Sequence, residues 1–256
     1  MSLLHPVRFT LRIIVIFAWV LVGFVILLLF FTWAKVTHRD ALNRWWSRWL
    51  LRWCGVRVDT RGEPVVEGGA LLIANHVSWL DIFVLSNQRA TIFVGKQEIR
   101  DWPVLGWLVA GVGTIFIERG NRKAVHKVGL QMKDCFDRGQ LVGLFPEGTT
   151  SEGLDVLPFH AGLFEPAVTW NIAVQPVALL YKHHGKRSSF AAFIGTENLV
   201  QNAWRVLGGA GVSVDVEYLP VIQPRDNDAL AMFNRNLMCE RVKSTLRCIV
   251  VQDTAP

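Results

Sequence analysis

Hydrophobic and polar positions divide the chain into an apolar N-terminal segment and a longer region of short hydrophobic runs and amphipathic stretches. Residues 13–34 contain no charged side chain. A helix over these residues would cover the ~30 Å hydrocarbon core of a bilayer. Charged residues follow directly, where a signal peptide would have a small-residue cleavage site. The pattern therefore predicts a retained membrane helix at 13–34.

The following segment, residues 40–53, has the pattern of an amphipathic helix. One face carries Leu42, Trp45, Trp46, Trp49, Leu50 and Trp53. A separate stripe carries Arg44, Arg48 and Arg52. Indole rings at the headgroup level and guanidinium groups on lipid phosphates favour a helix in the membrane interface. A helix that faces the protein core is the alternative, and a hairpin that dips into one leaflet is as compatible with the pattern as a full span.

Beyond residue 55, β-type runs alternate with helical ones. Strands are predicted at Ala70–Ala74, Thr91–Val94, Thr114–Ile117, Leu141–Leu144, Val174–Tyr181 and Val212–Tyr218. Helices are predicted at Trp79–Ser86, Pro103–Val109, Lys123–Asp137, Gly162–Trp170, Asn198–Leu207 and Asp228–Val250. This alternation predicts an α/β fold with a largely parallel central sheet flanked by helices. We expect a membrane anchor at 1–54 and one folded domain at 55–256.

Composition agrees with a single localised membrane segment. The chain is 51% hydrophobic and 19% charged, with a mean hydropathy of +0.30. These values are too apolar for an ordinary soluble domain and too polar for a bundle of membrane spans. The four cysteines are far apart and have no metal-ligand spacing, so we expect reduced thiols, no disulfide framework and no metal site.

The net charge of +6 indicates an anionic partner, which leaves nucleic acid, anionic lipid and an anionic substrate open. Basic residues are denser after residues 13–34 than before them, which predicts that the rest of the chain is cytoplasmic. The Arg-rich and Trp-rich cluster directly follows a membrane segment, and no other basic patch has the size of a nucleic-acid-binding face. We therefore expect no nucleic-acid partner.

One segment after a predicted strand carries a histidine and an acid. In Asn75–Asp81, His76 comes just past the strand end and Asp81 lies in the next predicted helix. An imidazole can take a proton from an alcohol near neutral pH, and a carboxylate can hold its other nitrogen. The alternative is that His76 caps the helix and Asp81 is a solvated acid.

Three further segments also follow or form hydrophobic runs. Gly113–Gly120 is a strand-like run that leads into an arginine and a glycine; Arg119 is suited to a phosphate, although a surface arginine is equally compatible. Phe145–Ser151 combines a Pro-Glu-Gly turn with three hydroxyl groups that can surround a polyol or an anion, or can form a plain turn. Val174–Leu179 has the pattern of a buried, mainly structural strand.

Taken in order, these segments resemble the 1-acylglycerol-3-phosphate acyltransferase family of glycerolipid acyltransferases. The family's NHxxxxD, GxxFIxR and FPEGTxS blocks and its late proline-containing strand correspond to Asn75–Asp81, Gly113–Arg119, Phe145–Ser151 and Val174–Val177. The resemblance covers roughly residues 70–180, and the ordered combination is far more specific than any single block. It identifies 55–256 as an acyltransferase domain.

The resemblance implies a reaction and roles for named residues. His76 would act as general base and Asp81 would orient it, so that the acceptor hydroxyl attacks a thioester directly. Residues Arg119, Glu147, Gly148, Thr149 and Ser151 would hold the glycerol phosphate of the acceptor. Lys96, after the predicted strand at Thr91–Val94, is our addition to this anion site.

The implied reaction gives phosphatidic acid from 1-acylglycerol 3-phosphate and needs no cofactor. The partners would be the lysophospholipid, acyl-CoA or acyl carrier protein as co-substrate, and membrane lipids. The expected location is the bacterial inner (cytoplasmic) membrane, with the domain on the cytoplasmic face. Two alternatives are an O-acyltransferase of another lysolipid, such as lyso-ornithine lipid, and a non-catalytic membrane-surface protein that binds lipid.

Overall fold

The computed structural model describes residues 4–31, 35–102, 105–118, 122–224 and 234–252, and its elements alternate as the sequence predicts. The helices are α1 (Leu4–Ile26), α2 (Val36–Cys54), α3 (Asp81–Ser86), α4 (Leu105–Gly111), α5 (Arg122–Asp137), α6 (Glu165–Thr169), α7 (Leu199–Gly208) and α8 (Arg235–Gln252). The strands are β1 (Val56–Arg61), β2 (Ala70–Ala74), β3 (Thr91–Lys96), β4 (Ile115–Ile117), β5 (Leu141–Leu144), β6 (Ala173–His183), β7 (Lys186–Arg187) and β8 (Val212–Tyr218).

Three short turns of other helical types complete the described elements. A π-helical turn at Leu27–Phe31 continues α1, and 3-10 turns lie at Gln97–Asp101 and Ala161–Phe164. The predicted helix at Pro103–Val109 is described only from residue 105, and the predicted helix at Asp228–Val250 only from residue 234. Of the described strands, β1 and β7 are not among the predicted ones.

The described strands form one mostly parallel sheet, which confirms the predicted fold class. Their order is β1-β8-β6-β2-β5-β3-β4, and β7 pairs with β6 as a hairpin. Strand β6 pairs in parallel with β2 and in antiparallel with β8. Strands β2, β5, β3 and β4 are neighbours and all run parallel, so their C-terminal ends meet at one side of the sheet, which we call the carboxyl edge.

Helices cover both faces of the sheet because its central strands are apolar on both sides. Every residue of β2 is buried. Alternate residues point to opposite faces, so Leu72 packs in the cluster that contains residues of α2, α3 and α7. Leu71 and Ile73 pack in the cluster that contains residues of α5, α6 and α8. A strand buried on both faces needs a continuous apolar run, which β2 has.

Helix α2 packs its C-terminal end into the core and exposes its arginine stripe. Leu50, Leu51 and Cys54 lie in the same hydrophobic cluster as the sheet residues and are at most 3% exposed. The arginines of the predicted stripe are exposed, and Trp45 is 44% exposed. The core-facing alternative therefore describes the C-terminal half of α2. The predicted boundary at residue 54 assigns this half of α2 to the anchor, whereas its side chains pack in the core of the domain.

Helix α1 packs one face on the domain and exposes the other. Among the described residues, Leu4–Leu29 is the one helix long and apolar enough to cross a membrane, with a mean hydropathy of 2.9. Trp19 and Trp46 of α2 each donate an indole N–H to the other's backbone carbonyl at 3.2 Å. Arg12 donates to the carbonyls of Leu207 and Gly209, at the end of α7, at 2.8 Å each. Helices α1 and α2 thus form a hairpin that is attached to the domain.

Candidate active site

The carboxyl edge of the sheet collects most of the residues that the sequence singles out. His76 follows β2, the Phe145–Ser151 segment follows β5, and Lys96 ends β3. Neighbouring strands are ~4.8 Å apart, so the ends of β2, β5, β3 and β4 span only ~15 Å. Because parallel strands end together here, segments far apart in sequence meet at one site.

His76 and Asp81 are in direct contact. Nδ1 of His76 lies 2.8 Å from Oδ2 of Asp81. The same oxygen accepts the backbone N–H groups of Val77 and Ser78 at 2.8 and 2.9 Å. The loop between β2 and α3 therefore wraps around the side chain of Asp81, the first residue of α3. Since a carboxylate accepts the Nδ1 proton, the other ring nitrogen, Nε2, is left to take a proton from a substrate.

The His76 ring is held by an aromatic stack. It lies on the ring of Phe145, with centroids 4.1 Å apart and an interplanar angle of 14°. Phe145 in turn stacks on Phe93 of β3, at 5.7 Å between centroids. The side chain of His76 is 22% exposed, whereas that of Asp81 is fully buried. The imidazole is thus fixed in orientation while one edge stays accessible, as a general base requires.

Glu147 connects the Phe145–Ser151 segment to the histidine loop. Its Oε1 accepts the backbone N–H of His76 at 2.9 Å, and its Oε2 accepts that of Leu157 at 3.3 Å. The residue is only 5% exposed. Burial raises the pKa of Glu147 to about 7, against the lowering effect of these hydrogen bonds and of His76. The sequence suggested a direct contact with the acceptor, but this carboxylate is directed at the backbone.

Three other predicted residues of this segment lie in different settings. Ser151 is buried, and both its backbone N–H and its hydroxyl donate to the carbonyl of His76, at 2.8 and 3.2 Å. Gly148 has a φ of +72°, a conformation that favours glycine in the turn. Thr149 is exposed. Of these three residues, Thr149 therefore has the most accessible side chain.

The predicted anion site is partly described. Lys96 is exposed and pairs in register with Ile117 of β4. It therefore lies at the carboxyl edge, two strands away from the strand that precedes His76. Arg119, which follows β4 by two residues, lies outside the described residues. The position of Lys96 is consistent with a cation that faces an anionic part of a ligand bound near His76.

Two residues of the site were not predicted from the sequence. The Asn75 side chain exchanges two hydrogen bonds with the backbone of Leu179, at 3.0 and 2.8 Å, and so extends the pairing of β2 with β6. Tyr181 donates its hydroxyl to Oδ1 of Asp81 at 2.7 Å. Asn75 is the first residue of the NHxxxxD block, which was the available signal for it. Tyr181 lies 100 residues from Asp81, and no local pattern indicates the contact.

Comparisons with known proteins identify the family of this chain. The acyltransferase family model matches residues 35–180. A 1-acyl-sn-glycerol-3-phosphate acyltransferase of Neisseria gonorrhoeae is 35% identical over 195 residues, which cover 75% of this chain and 74% of the relative. A lyso-ornithine lipid O-acyltransferase of Pseudomonas aeruginosa is 36% identical over 190 residues, which cover 74% and 73% of the two chains.

A solved structure has the same fold. The crystal structure of the 1-acyl-sn-glycerophosphate (LPA) acyltransferase, PlsC, from Thermotoga maritima superposes with a TM-score of 0.63 at 19% sequence identity. The match covers 96% of this chain and 98% of that structure. The shared fold includes the N-terminal region as well as the sheet.

Proposed function

This chain belongs to the acyltransferase family, and from that premise we propose that it esterifies the sn-2 hydroxyl of 1-acylglycerol 3-phosphate with a fatty acyl group to give phosphatidic acid. The observation that carries the proposal is the His76–Asp81 pair, at 2.8 Å, with an exposed lysine two strands away at the same sheet edge. The names of the relatives at 35% and 36% identity leave two acceptors in consideration, the lysophosphatidic acid and the lyso-ornithine lipid.

The proposed reaction is a direct acyl transfer. Nε2 of His76 removes the proton of the acceptor hydroxyl while the oxygen attacks the thioester carbonyl carbon. The C–S bond then breaks, and the proton passes from the imidazolium to the sulfur, which leaves as a thiol. Asp81 stabilises the imidazolium through Nδ1. A positioned base contributes ~10²–10⁴-fold, and the orientation of two bound substrates contributes more.

The proposed acceptor site extends from His76 along the carboxyl edge. Lys96 and Arg119 would bind the phosphate, because each follows or ends a strand at this edge and each carries a permanent positive charge. Thr149, which is exposed, would donate a hydrogen bond to the glycerol phosphate. A phosphate-bearing acceptor fits two cations better than an amino lipid does, which is why lysophosphatidic acid is the first choice.

We assign the remaining predicted residues of the third block a positioning role. Glu147 and Ser151 bond to the backbone of His76 on its two sides, at the N–H and at the carbonyl. Gly148 permits the turn between them. These contacts hold the loop that carries the base, so the substitution of either side chain would disturb His76 before it disturbed the acceptor.

The proposed location is the cytoplasmic face of a bacterial inner membrane. The outward side of α1 exposes large apolar side chains along its length, including Leu4, Leu11 and Phe17 at 55%, 61% and 66% exposure. The inward side is bound to α2 and α7, and this arrangement supports one-leaflet insertion of the hairpin in preference to a full span. The exposed arginines of α2 would then face lipid phosphates.

The experiment that tests the proposal offers purified protein each acceptor with each donor. Lysophosphatidic acid and lyso-ornithine lipid are supplied in mixed micelles, with acyl-CoA or acylated acyl carrier protein, and mass spectrometry identifies the product. We expect phosphatidic acid, and its loss in His76→Ala while binding to vesicles is retained. Exclusive acylation of lyso-ornithine lipid would mean that this lipid, and not lysophosphatidic acid, is the acceptor. Equal activity of wild type and His76→Ala would reject the base, and vesicle binding without turnover of either acceptor would favour a non-catalytic role.

A further inference from the structure

Tyr181 is a buried tyrosine beside the proposed catalytic pair. It lies on β6, is 1% exposed, and points to the sheet face covered by α2, α3 and α7. Its hydroxyl donates to Oδ1 of Asp81 at 2.7 Å. The family blocks described above do not include this position. Tyr181 therefore adds a specific group to the site through a contact between strand β6 and helix α3.

The two oxygens of Asp81 have different partners. Oδ2 accepts three hydrogen bonds, from Nδ1 of His76 and from the backbone N–H groups of Val77 and Ser78. Within the described part of the chain, the hydrogen bond to Oδ1 comes from Tyr181. A carboxylate that is fully removed from water needs such donors, because burial destabilises its charge. The phenol thus complements the half of the carboxylate that the histidine loop does not reach.

The phenol is presented by a rigid part of the fold. Strand β6 lies between β2 and β8 in the sheet. Asn75, the residue before His76, bonds to both backbone groups of Leu179, two residues before Tyr181. Residues two apart on a strand share a face, so this clamp sets both the height and the direction of the Tyr181 side chain relative to the histidine loop.

We propose that Tyr181 is a positioning residue of the acyl transfer, which holds the Asp81 carboxylate ionised and directed at Nδ1 of His76. The inference rests on the proposed function. When His76 takes the proton of the acceptor, the imidazolium that forms is stabilised by Asp81, and the orientation of that carboxylate decides how well. The Tyr181 hydroxyl contacts Asp81, and we expect its effect on the reaction to pass through that carboxylate.

The titratable and charged groups around Tyr181 keep its phenol protonated, so that it acts as a hydrogen-bond donor. Burial first, and then the charge of Asp81, raise the pKa of Tyr181 well above its usual value, so it keeps its proton at neutral pH. Burial raises the pKa of Cys54, which faces the phenol from α2, to about 12, so that thiol stays neutral. Arg187 of β7 donates to the backbone carbonyl of Tyr181 at 3.3 Å. Glu147 accepts the backbone N–H of His76 and also interacts electrostatically with that residue.

The chain offers a matched control for the test. It contains two tyrosines, and the second, Tyr218, is also buried, at 5% exposure, on the neighbouring strand β8. Tyr181→Phe and Tyr218→Phe each remove one hydroxyl from a buried ring. Only the first removes a hydrogen bond to Asp81. The two variants and wild type are compared as full-length protein, by steady-state kinetics over pH, by thermal unfolding and by NMR titration of the His76 ring.

For Tyr181→Phe we expect kcat to fall ~10-fold, the loss that corresponds to one hydrogen bond to a charged group, with KM for both substrates unchanged. We also expect the acid limb of the pH profile and the NMR titration of His76 to move to lower pH. An Asp81 carboxylate that has lost the Tyr181 donor is held less well at Nδ1, so it stabilises the protonated imidazole less. Tyr218→Phe should retain the wild-type kcat, pH profile and NMR titration.

The inference is overturned if Tyr181→Phe keeps the wild-type kcat and His76 titration, if Tyr218→Phe shows the same changes, or if the deficit lies in KM alone. The NMR titration needs no substrate. A wild-type protein that acylates neither lysolipid would reject the proposed function, while the movement of the His76 titration would still decide whether Tyr181 acts on the pair.

Discussion

Glu147 accepts the backbone N–H of His76 at 2.9 Å, across 71 residues of sequence. The contact joins the loop after β5 to the loop after β2, so the segment that carries the proposed base is fixed by its neighbour along the carboxyl edge. A carboxylate in this position is an unusual structural group, because it is 5% exposed and burial raises its pKa to about 7. Its protonation should therefore be visible in the pH dependence of stability.

The first prediction concerns the free energy of unfolding of Glu147→Gln. The pKa of Glu147 is raised in the folded protein, from 4.5 to about 7, so the folded state keeps a proton that the unfolded chain releases. The stability contributed by this group is complete below pH 4.5 and is lost as the pH rises through about 7. Wild type should lose stability relative to Glu147→Gln over this window, by at most ~1.4 kcal/mol per pH unit.

The measurement is urea unfolding of both proteins in one detergent at several pH values. Glu165→Gln is the control, since the Glu165 side chain is 53% exposed, and its curve should stay parallel to that of wild type. Parallel curves for wild type and Glu147→Gln as well would mean that the buried carboxyl keeps its charge throughout.

The second prediction concerns Asp81→Asn. An amide cannot accept all the hydrogen bonds that converge on Asp81, and its NH₂ group opposes the Nδ1 proton of His76. The variant should favour the wrong tautomer and lower kcat by ~10³–10⁴-fold, as in other His–Asp pairs. Asp137→Asn, on a side chain that is 58% exposed, is the control and should leave kcat unchanged. A decrease in kcat of less than ~10-fold with saturating substrates would mean that Asp81 does not support His76 as the base.

The third prediction concerns the exposed Lys96. If it binds the acceptor phosphate, Lys96→Ala should raise KM for lysophosphatidic acid ~10-fold, the effect of one charge-assisted hydrogen bond, and leave KM for the acyl donor unchanged. Lys96→Arg should restore much of the affinity. Lys186→Ala, at an exposed lysine of β7, is the control. An equal rise in both KM values would place Lys96 outside the acceptor site.

The fold could be predicted from the sequence wherever the pattern was local. The bounds of β2, β5 and β8 were predicted correctly, because β2 and β5 are short apolar runs and β8 alternates apolar and polar residues. Strand β1 was missed because only Val56 is buried and the later residues are half-buried or exposed. It is recognisable as a strand only through its pairing with β8, more than 150 residues later, which no local pattern encodes.

The site divides in the same way. The proximity of His76 and Asp81 followed from a strand, a turn and a helix that are adjacent in sequence. The contact of Glu147 with the backbone of His76 and the contact of Tyr181 with Asp81 could not be predicted in this way. Both depend on which strands are neighbours in the sheet and in what register they pair. The pattern of α2 favoured an interfacial helix over a core-facing one, because tryptophan and leucine pack equally well against a lipid or a protein core.

The last prediction concerns the outward face of α1. Phe17 is 66% exposed on a helix whose other side is attached to α2 and α7. If this face lies in lipid, Phe17→Asp places a charge there, at a free-energy cost of up to ~2.5–3.5 kcal/mol. The variant should lose most of its flotation with phospholipid vesicles. Val66→Asp is the control, because Val66 is 75% exposed on the loop between β1 and β2.

The effect of Phe17→Asp on activity should differ between vesicles and detergent micelles. On lysophosphatidic acid in vesicles, Phe17→Asp should lose turnover in proportion to its lost binding, because the acceptor remains in the bilayer. In detergent mixed micelles it should keep the wild-type kcat, since Phe17 is far in sequence from the His76 loop and lies on the side of α1 that faces away from the domain. Wild-type flotation of Phe17→Asp would show that this apolar face is covered by something other than lipid. A loss of kcat in micelles would instead show that α1 supports the fold of the catalytic domain.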